Sequence, residues 1–188
     1  MGRILMAPNY WKWERIIPKD VCELIKKEFA EDQKVDGQVQ SKEGGTVDPK
    51  MRKSNLCWLG PNHWVEGILF NHVIYANIYA GWQYEILNIE QIQLTRYKTN
   101  QFYEWHKDAP VISDNQFTRK LSVVLLLSDP SEYEGGGLFI KDVDEEQNVL
   151  QNQGDLIVFP SFLLHKAETV TSGTRMTAVG WVNGPRFK

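Results

Sequence analysis

Leu121-Ser122-Val123-Val124-Leu125-Leu126-Leu127, stopped by Ser128-Asp129-Pro130, is the stretch that decides the fold. It is short, apolar and closed by a turn signal, which reads as a β-strand. Working outward, runs of the same kind recur at residues 89–97, 138–140, 148–151, 155–159, 167–170 and 176–182. Glu134-Gly135-Gly136-Gly137 and Gln153-Gly154-Asp155 punctuate them as turns. Short strands at this spacing predict a mainly β fold, an antiparallel sandwich or barrel, with helices on its outer face.

Two helices precede the strands. Asp20 with Glu23 three residues on reads as a capping box, and Val21, Leu24, Ile25 and Phe29 carry helical periodicity to about Glu31. Asn62 is read as the cap of a longer helix through Val65, Ile68, Leu69, Val73 and Ala76, ending by Gly81. Between them, residues 38–48 are polar and contain Gly44-Gly45, predicting a loop between short strands that flanks the site. The chain is expected to form one domain, with helical support over about 1–85 and a β core over about 86–183.

His106 and Asp108 are two residues apart after the run Gln91-Ile92-Gln93-Leu94-Thr95-Arg96-Tyr97, and His165 closes Phe159-Pro160-Ser161-Phe162-Leu163-Leu164-His165. An i, i+2 pair in extended chain points to one side, and a distant histidine completes the set. Two imidazoles and a carboxylate on one face of a metal leave the opposite face open, the ligand arrangement of non-haem Fe(II) oxygenases. An HxD pair alone is weak; its position in the β-rich half, together with His165 and Arg175, gives it weight. His63 and His72 lie on the second helix as ordinary structural histidines.

In Arg175-Met176-Thr177-Ala178-Val179-Gly180-Trp181, alternation brings Arg175, Thr177, Val179 and Trp181 to one face. A buried guanidinium there needs an anion, and its fork matches a carboxylate. Thr177 can add a hydroxyl, and Val179 and Trp181 suit a dry wall. Tyr97 and Tyr103 are either pocket residues or ordinary sheet aromatics.

The 188 residues carry a net charge of −3, against a chain whose main task is to neutralise phosphates. Cys22 and Cys57 read as buried free thiols in a reducing compartment. The first ten residues are too weakly apolar for a signal peptide, and no stretch approaches the roughly 18 apolar residues of a membrane span. A soluble, cytoplasmic protein is expected, of undetermined oligomeric state.

These residues resemble the 2-oxoglutarate- and Fe(II)-dependent dioxygenases, within them the prolyl 4-hydroxylase-like group, and above all the PKHD-type hydroxylases. The similar stretches are Arg96-Tyr97 through Tyr103-Glu104-Trp105-His106-Lys107-Asp108, Arg119 through Pro130 into Gly135-Gly136, and Gly154-Asp155 through His165 to Arg175. The resemblance implies a distorted double-stranded β-helix, or jelly roll, with His106, Asp108 and His165 holding Fe(II). It implies Arg175 on the distal carboxylate of 2-oxoglutarate, Tyr97, Thr177 and Trp181 beside it, O2 as second cosubstrate and ascorbate as reductant. The implied reaction hydroxylates an unactivated C–H of a protein, peptide or small molecule, first of all a side chain such as proline. Two positions depart from the family: Leu126 stands where a tyrosine helps hold the cosubstrate, and Gly137 where an acidic residue is usual. Two other readings compete. One is an oxidative nucleic-acid demethylase using Trp11, Lys12, Trp13 and Arg15, which the acidic total disfavours; the other is a catalytically idle jelly-roll binding module.

Overall fold

The computed structural model describes residues 8–41, 44–109, 117–142 and 145–187. Before the longer helix lie β1 (Trp11–Trp13), α1 (Lys19–Lys27), β2 (Val35–Asp36), β3 (Val39–Ser41), β4 (Gly44–Thr46), β5 (Arg52–Lys53) and β6 (Asn55–Trp58). Then come α2 (Trp64–Tyr79), β7 (Asn88–Ile89), β8 (Gln93–Lys98), β9 (Phe102–His106) and β10 (Phe117–Leu126). The chain closes with β11 (Tyr133–Gly135), β12 (Leu138–Asp142), β13 (Glu145–Asn148), β14 (Leu156–Pro160), β15 (His165–Ala167) and the long β16 (Val170–Pro185).

Two antiparallel sheets face each other, the jelly roll expected, and β3 and β4 pair apart from both. The larger runs β1-β14-β10-β16-β8-β6-β2, with β7 and β11 also paired to β16, and the smaller β13-β12-β15-β9-β5. The second half of β10, from Leu121 on, is apolar but for Ser122 because both of its faces are covered. Leu121, Val123 and Leu125 join Val65, Leu69 and Val73 of α2 in one core. Val124 and Leu126 point the other way, into a second core with Leu138, Ile140, Ile157 and Phe159 between the sheets. The site opens from that second, interior face.

Several boundaries differ from those read in the sequence. Residues 89–97 split into β7 and β8, 148–151 becomes β13 over Glu145–Asn148, and 167–170 becomes the end of β15 and the start of β16. The N-terminal portion supplies strands as well as helices, β1, β2 and β6 extending the large sheet and β5 the small one. The first helix stops at Lys27, and the expected Asp20–Glu23 box is not its cap. Its N-cap is Pro18, and the Glu23 carboxylate accepts instead from Lys26 and Gln153. The cap of α2 is His63, whose Nδ1 accepts from the Val65 N–H, while Asn62 takes a left-handed turn at φ 60°. His72 bonds the Ile68 carbonyl and packs edge-on to Trp13, and both cysteines are buried and free. Part of the 38–48 loop is the β3–β4 hairpin; residues 42–43, like 1–7 of the amino terminus, lie outside the described residues. No helix among the described residues is long and apolar enough to cross a membrane.

The turn before β14 carries a sharp stability test. Gly154 sits at φ +84°, and a Cβ there would lie 2.1 Å from the Ile17 carbonyl oxygen. Backbone cannot yield as a flexible side chain can, so Gly154→Ala is expected to cost roughly 1–3 kcal/mol or more in denaturant unfolding.

Candidate metal centre

Strand pairing brings the two histidines together. In the antiparallel pair β15 and β9, His165 stands directly opposite His106, so both rings project to the same side. Asp108 lies just past the end of β9, so its approach does not come from strand alternation. Its backbone N–H, and that of Ala109, bond the Ser161 carbonyl at 2.9 Å, which folds the chain back over the His165 loop. The three side chains offer ligand atoms that all lie within 4.8 Å of one another. His106 Nε2 is 3.6 Å from one Asp108 carboxylate oxygen and His165 Nε2 is 3.4 Å from the other.

Each imidazole is oriented by its far nitrogen. Nδ1 of His106 meets the Glu104 carbonyl at 2.7 Å and Nδ1 of His165 the Leu163 carbonyl at 2.9 Å. A carbonyl only accepts, so each Nδ1 carries a proton and each Nε2 faces the centre. Burial, reinforced by His165, lowers the His106 pKa. Burial alone would raise the Asp108 carboxyl, but His165 and His106 outweigh it and hold it well below the usual carboxylate range. Burial lowers the His165 pKa, but Asp108 outweighs it and raises it. Because a neutral imidazole and an ionised carboxylate are the forms that ligate a metal, metal binding would release the added proton of His165.

Two serines that the sequence reading passed over fix the carboxylate. Ser122, fully buried on the interior face of β10, donates to Asp108 Oδ2 at 2.7 Å, and its Oγ is 2.9 Å from that of the buried Ser161. Partners of metal-ligating carboxylates commonly matter tenfold to a hundredfold in metal affinity. Ser122→Ala is therefore expected to weaken Fe(II) binding by about that factor while keeping the fold. Unchanged affinity in an equilibrium titration would reduce Ser122 to a packing residue.

Arg175, Thr177, Val179 and Trp181 of β16 line one pocket with the His/Asp/His group, together with Tyr97, Tyr103 and Arg52. Arg175 is 2% exposed, yet its Nε and Nη2 have no hydrogen-bond partner among the described residues. Gly136 makes room for it, since a Cβ there would lie 3.0 Å from Arg175 Cδ. A buried guanidinium with two such nitrogens on a pocket wall could hold an external anion. Tyr103 stacks on His106, with ring centroids 3.4 Å apart, and burial pushes its hydroxyl pKa up to about 12.

Leu126 is fully buried on the interior face, opposite Thr177, but it packs in the core between the sheets and does not line the pocket. Gly137 has no room for the acidic side chain usual there, because a Cβ would meet Phe139 and Asn148 within 3 Å. The Trp11–Arg15 cluster also stays out of the pocket: Lys12 pairs with Asp155, Arg15 bonds Asn152, and Trp11 and Trp13 pack against the helical core.

Residues 92–183 match the family described as the 2OG-Fe(II) oxygenase superfamily. A PKHD-type hydroxylase of Crocosphaera subtropica is 37% identical over 97 residues, 51% of this chain and 44% of the relative. One from Prochlorococcus marinus is 45% identical over 80 residues, 43% of this chain and 35% of the relative. The matched stretches thus span less than half the length of these curated relatives. Among solved structures, the viral collagen prolyl hydroxylase of Paramecium Bursaria Chlorella virus-1, as its 2OG complex, superposes with TM-score 0.71 at 22% identity, over 96% of this chain and 99% of that one.

Proposed function

We propose, from the match of residues 92–183 to the 2OG-Fe(II) oxygenase superfamily, that the chain is a 2-oxoglutarate- and Fe(II)-dependent hydroxylase. The single observation that carries the reading is the junction of two features in one pocket. One is a closed His/His/Asp set with both Nε2 atoms turned inward, and the other is the buried Arg175 with unpartnered nitrogens.

His106, Asp108 and His165 would hold Fe(II) on one face, and the donor set suits it. Bound together, Fe(II), 2-oxoglutarate and O2 supply an oxidant that hydroxylates an unactivated C–H and releases succinate and CO2. The chain's own residues bind and orient. Arg175 would grip the distal carboxylate with Thr177 and Tyr97 beside it, and Val124, Leu138, Val179 and Trp181 keep the walls apolar and exclude water. The substrate proposed is a protein or peptide side chain such as proline, or a small molecule of that kind. Support comes from the hydroxylase relatives and from a prolyl hydroxylase of Trichoplax adhaerens, solved with a peptide fragment, that superposes with TM-score 0.65.

The test is conversion of 2-oxoglutarate to succinate by the purified chain without added substrate. Formation that needs Fe(II) supports the reading and excludes an idle binding module. No Fe(II)-dependent succinate overturns it.

A further inference from the structure

Resting on that reading, we infer that Arg52 selects a substrate carrying a carboxylate close to the carbon that is hydroxylated. Arg52 opens β5, is 7% exposed, and lines the metal pocket as well as the wider mouth outside it. Its Nε donates to Ser54 Oγ at 2.9 Å, Nη1 to the Gln38 carbonyl at 3.2 Å and Nη2 to Gln93 Oε1 at 2.9 Å. All of these acceptors are neutral. A guanidinium has five N–H donors, so one on each terminal nitrogen is left over, the pair that a carboxylate takes in a fork.

The buried Arg96 and the half-buried Arg119 are neutralised. Arg96 pairs with Glu31 and Arg119 with Glu90. Arg175 has the cosubstrate. Arg52 has no carboxylate within ion-pair distance among the described residues, and the side chain where one would stand is the neutral Gln93, which also accepts from Thr95. A glutamate of nearly the same shape would cancel the charge. Gln93 satisfies the geometry and leaves the charge uncancelled.

The charge balance of the filled pocket points the same way. A divalent metal, the Asp108 carboxylate, a dianionic cosubstrate and the Arg175 guanidinium sum to zero, which leaves Arg52 unmatched. The mouth adds Lys107, while Arg119 there is already paired with Glu90. A buried charge without a partner is costly, and a substrate anion removes that cost on binding.

Distance limits the substrate further. Arg52 Cζ lies 4.4 Å over the Tyr103 ring, and His106 stacks on that ring at 3.4 Å. One ring cannot hold both groups on the same face at those distances, so Tyr103 is sandwiched between them. The carboxylate seat is therefore one aromatic ring from a metal ligand, a reach on the scale of a single amino-acid residue. Gly37 secures the seat, since a Cβ there would lie 2.7 Å from Arg52 Nε. A free amino acid, a peptide's C-terminal carboxylate and an adjoining acidic side chain share the required chemistry.

The experiment is calorimetric titration, without O2, of the protein loaded with Fe(II) and 2-oxoglutarate. The probes are free amino acids against their amides, N-acetyl amino acids against their amides, and the blocked dipeptides N-acetyl-Pro-Asp-amide and N-acetyl-Asp-Pro-amide against their Asn counterparts. In at least one arm the acid is expected to bind about tenfold or more tighter than its neutral twin, the size of a charge-assisted hydrogen bond, and that arm identifies the source. Gln93→Glu and Arg52→Gln should each bring the ratio near one, and Arg52→Lys should keep part of it. Equal binding of acid and neutral probes in every arm overturns the inference, as does no binding in any arm or a preference untouched by Gln93→Glu. Should a variant fail to fold, the wild-type ratio still decides. Absence of Fe(II)-dependent succinate formation would instead strike the reading beneath it, so the two failures are distinguishable.

Discussion

His106→Ala, Asp108→Ala and His165→Ala are each expected to abolish Fe(II)-dependent succinate formation and to weaken Fe(II) binding by more than about a hundredfold, with cooperative unfolding retained. The magnitude follows from the geometry: with all ligand atoms within 4.8 Å, no described His, Cys, Asp or Glu outside the three joins the group. Loss of one ligand therefore leaves two, while a changed orienting partner alone already costs tenfold to a hundredfold. The fold should survive because these side chains sit on the rim of the interior, and the main core is built elsewhere, from α2 against Leu121, Val123 and Leu125. His165 is the more buried of the two histidines and lies edge-on to Phe159 at 4.8 Å, so its variant should lose the most stability. Iron content after purification and thermal unfolding measure the two sides. A variant that unfolds outright, or one that keeps wild-type iron affinity, contradicts the assignment.

What the sequence made legible was set by periodicity, and what it hid was set by distance along the chain. Arg175, Thr177, Val179 and Trp181 share a face because a strand has period two, and nothing beyond local backbone geometry was needed to see it. His106 and His165 were legible as residue types, but their meeting depends on the register of β9 with β15, and β9 was not foreseen. Its residues, Phe-Tyr-Glu-Trp-His, do not alternate cleanly because most are half-buried. Ser122 and Ser161 carry no local signal at all. A serine in an apolar strand and one in a turn become a carboxylate clamp only when the fold brings them within 2.9 Å across a separation of 39 residues. Arg52 was hidden for the same reason, its partners Gln38 and Gln93 lying far apart in the chain. Tertiary contacts also overrode a good local pattern at Asp20 and Glu23, where Gln153, 130 residues away, takes the carboxylate that a capping box would have used.

Arg175→Ala is expected to raise the 2-oxoglutarate requirement by two to three orders of magnitude, because removing one member of a buried charge pair costs roughly 3–5 kcal/mol. The same substitution should leave the cosubstrate-free protein no less stable. Without an anion, Arg175 is a buried cation with two unpartnered nitrogens, and its ring contact with Tyr97 is distant at 6.0 Å, so little attraction is lost with it. The two effects separate cleanly in thermal unfolding. A ligand at a hundred times its Kd stabilises the native state by about 2.7 kcal/mol, and the variant, at or below its own Kd at that concentration, should gain about 0.4 kcal/mol or less. Arg175→Lys should recover part of the response, since an ammonium restores the charge but not the planar fork that meets both carboxylate oxygens. Unchanged 2-oxoglutarate affinity in Arg175→Ala would show that the cosubstrate's distal carboxylate lies elsewhere. The other pocket guanidinium, Arg52, would then be its only buried cationic seat on the described walls, and the substrate assignment built on Arg52 would fall with it.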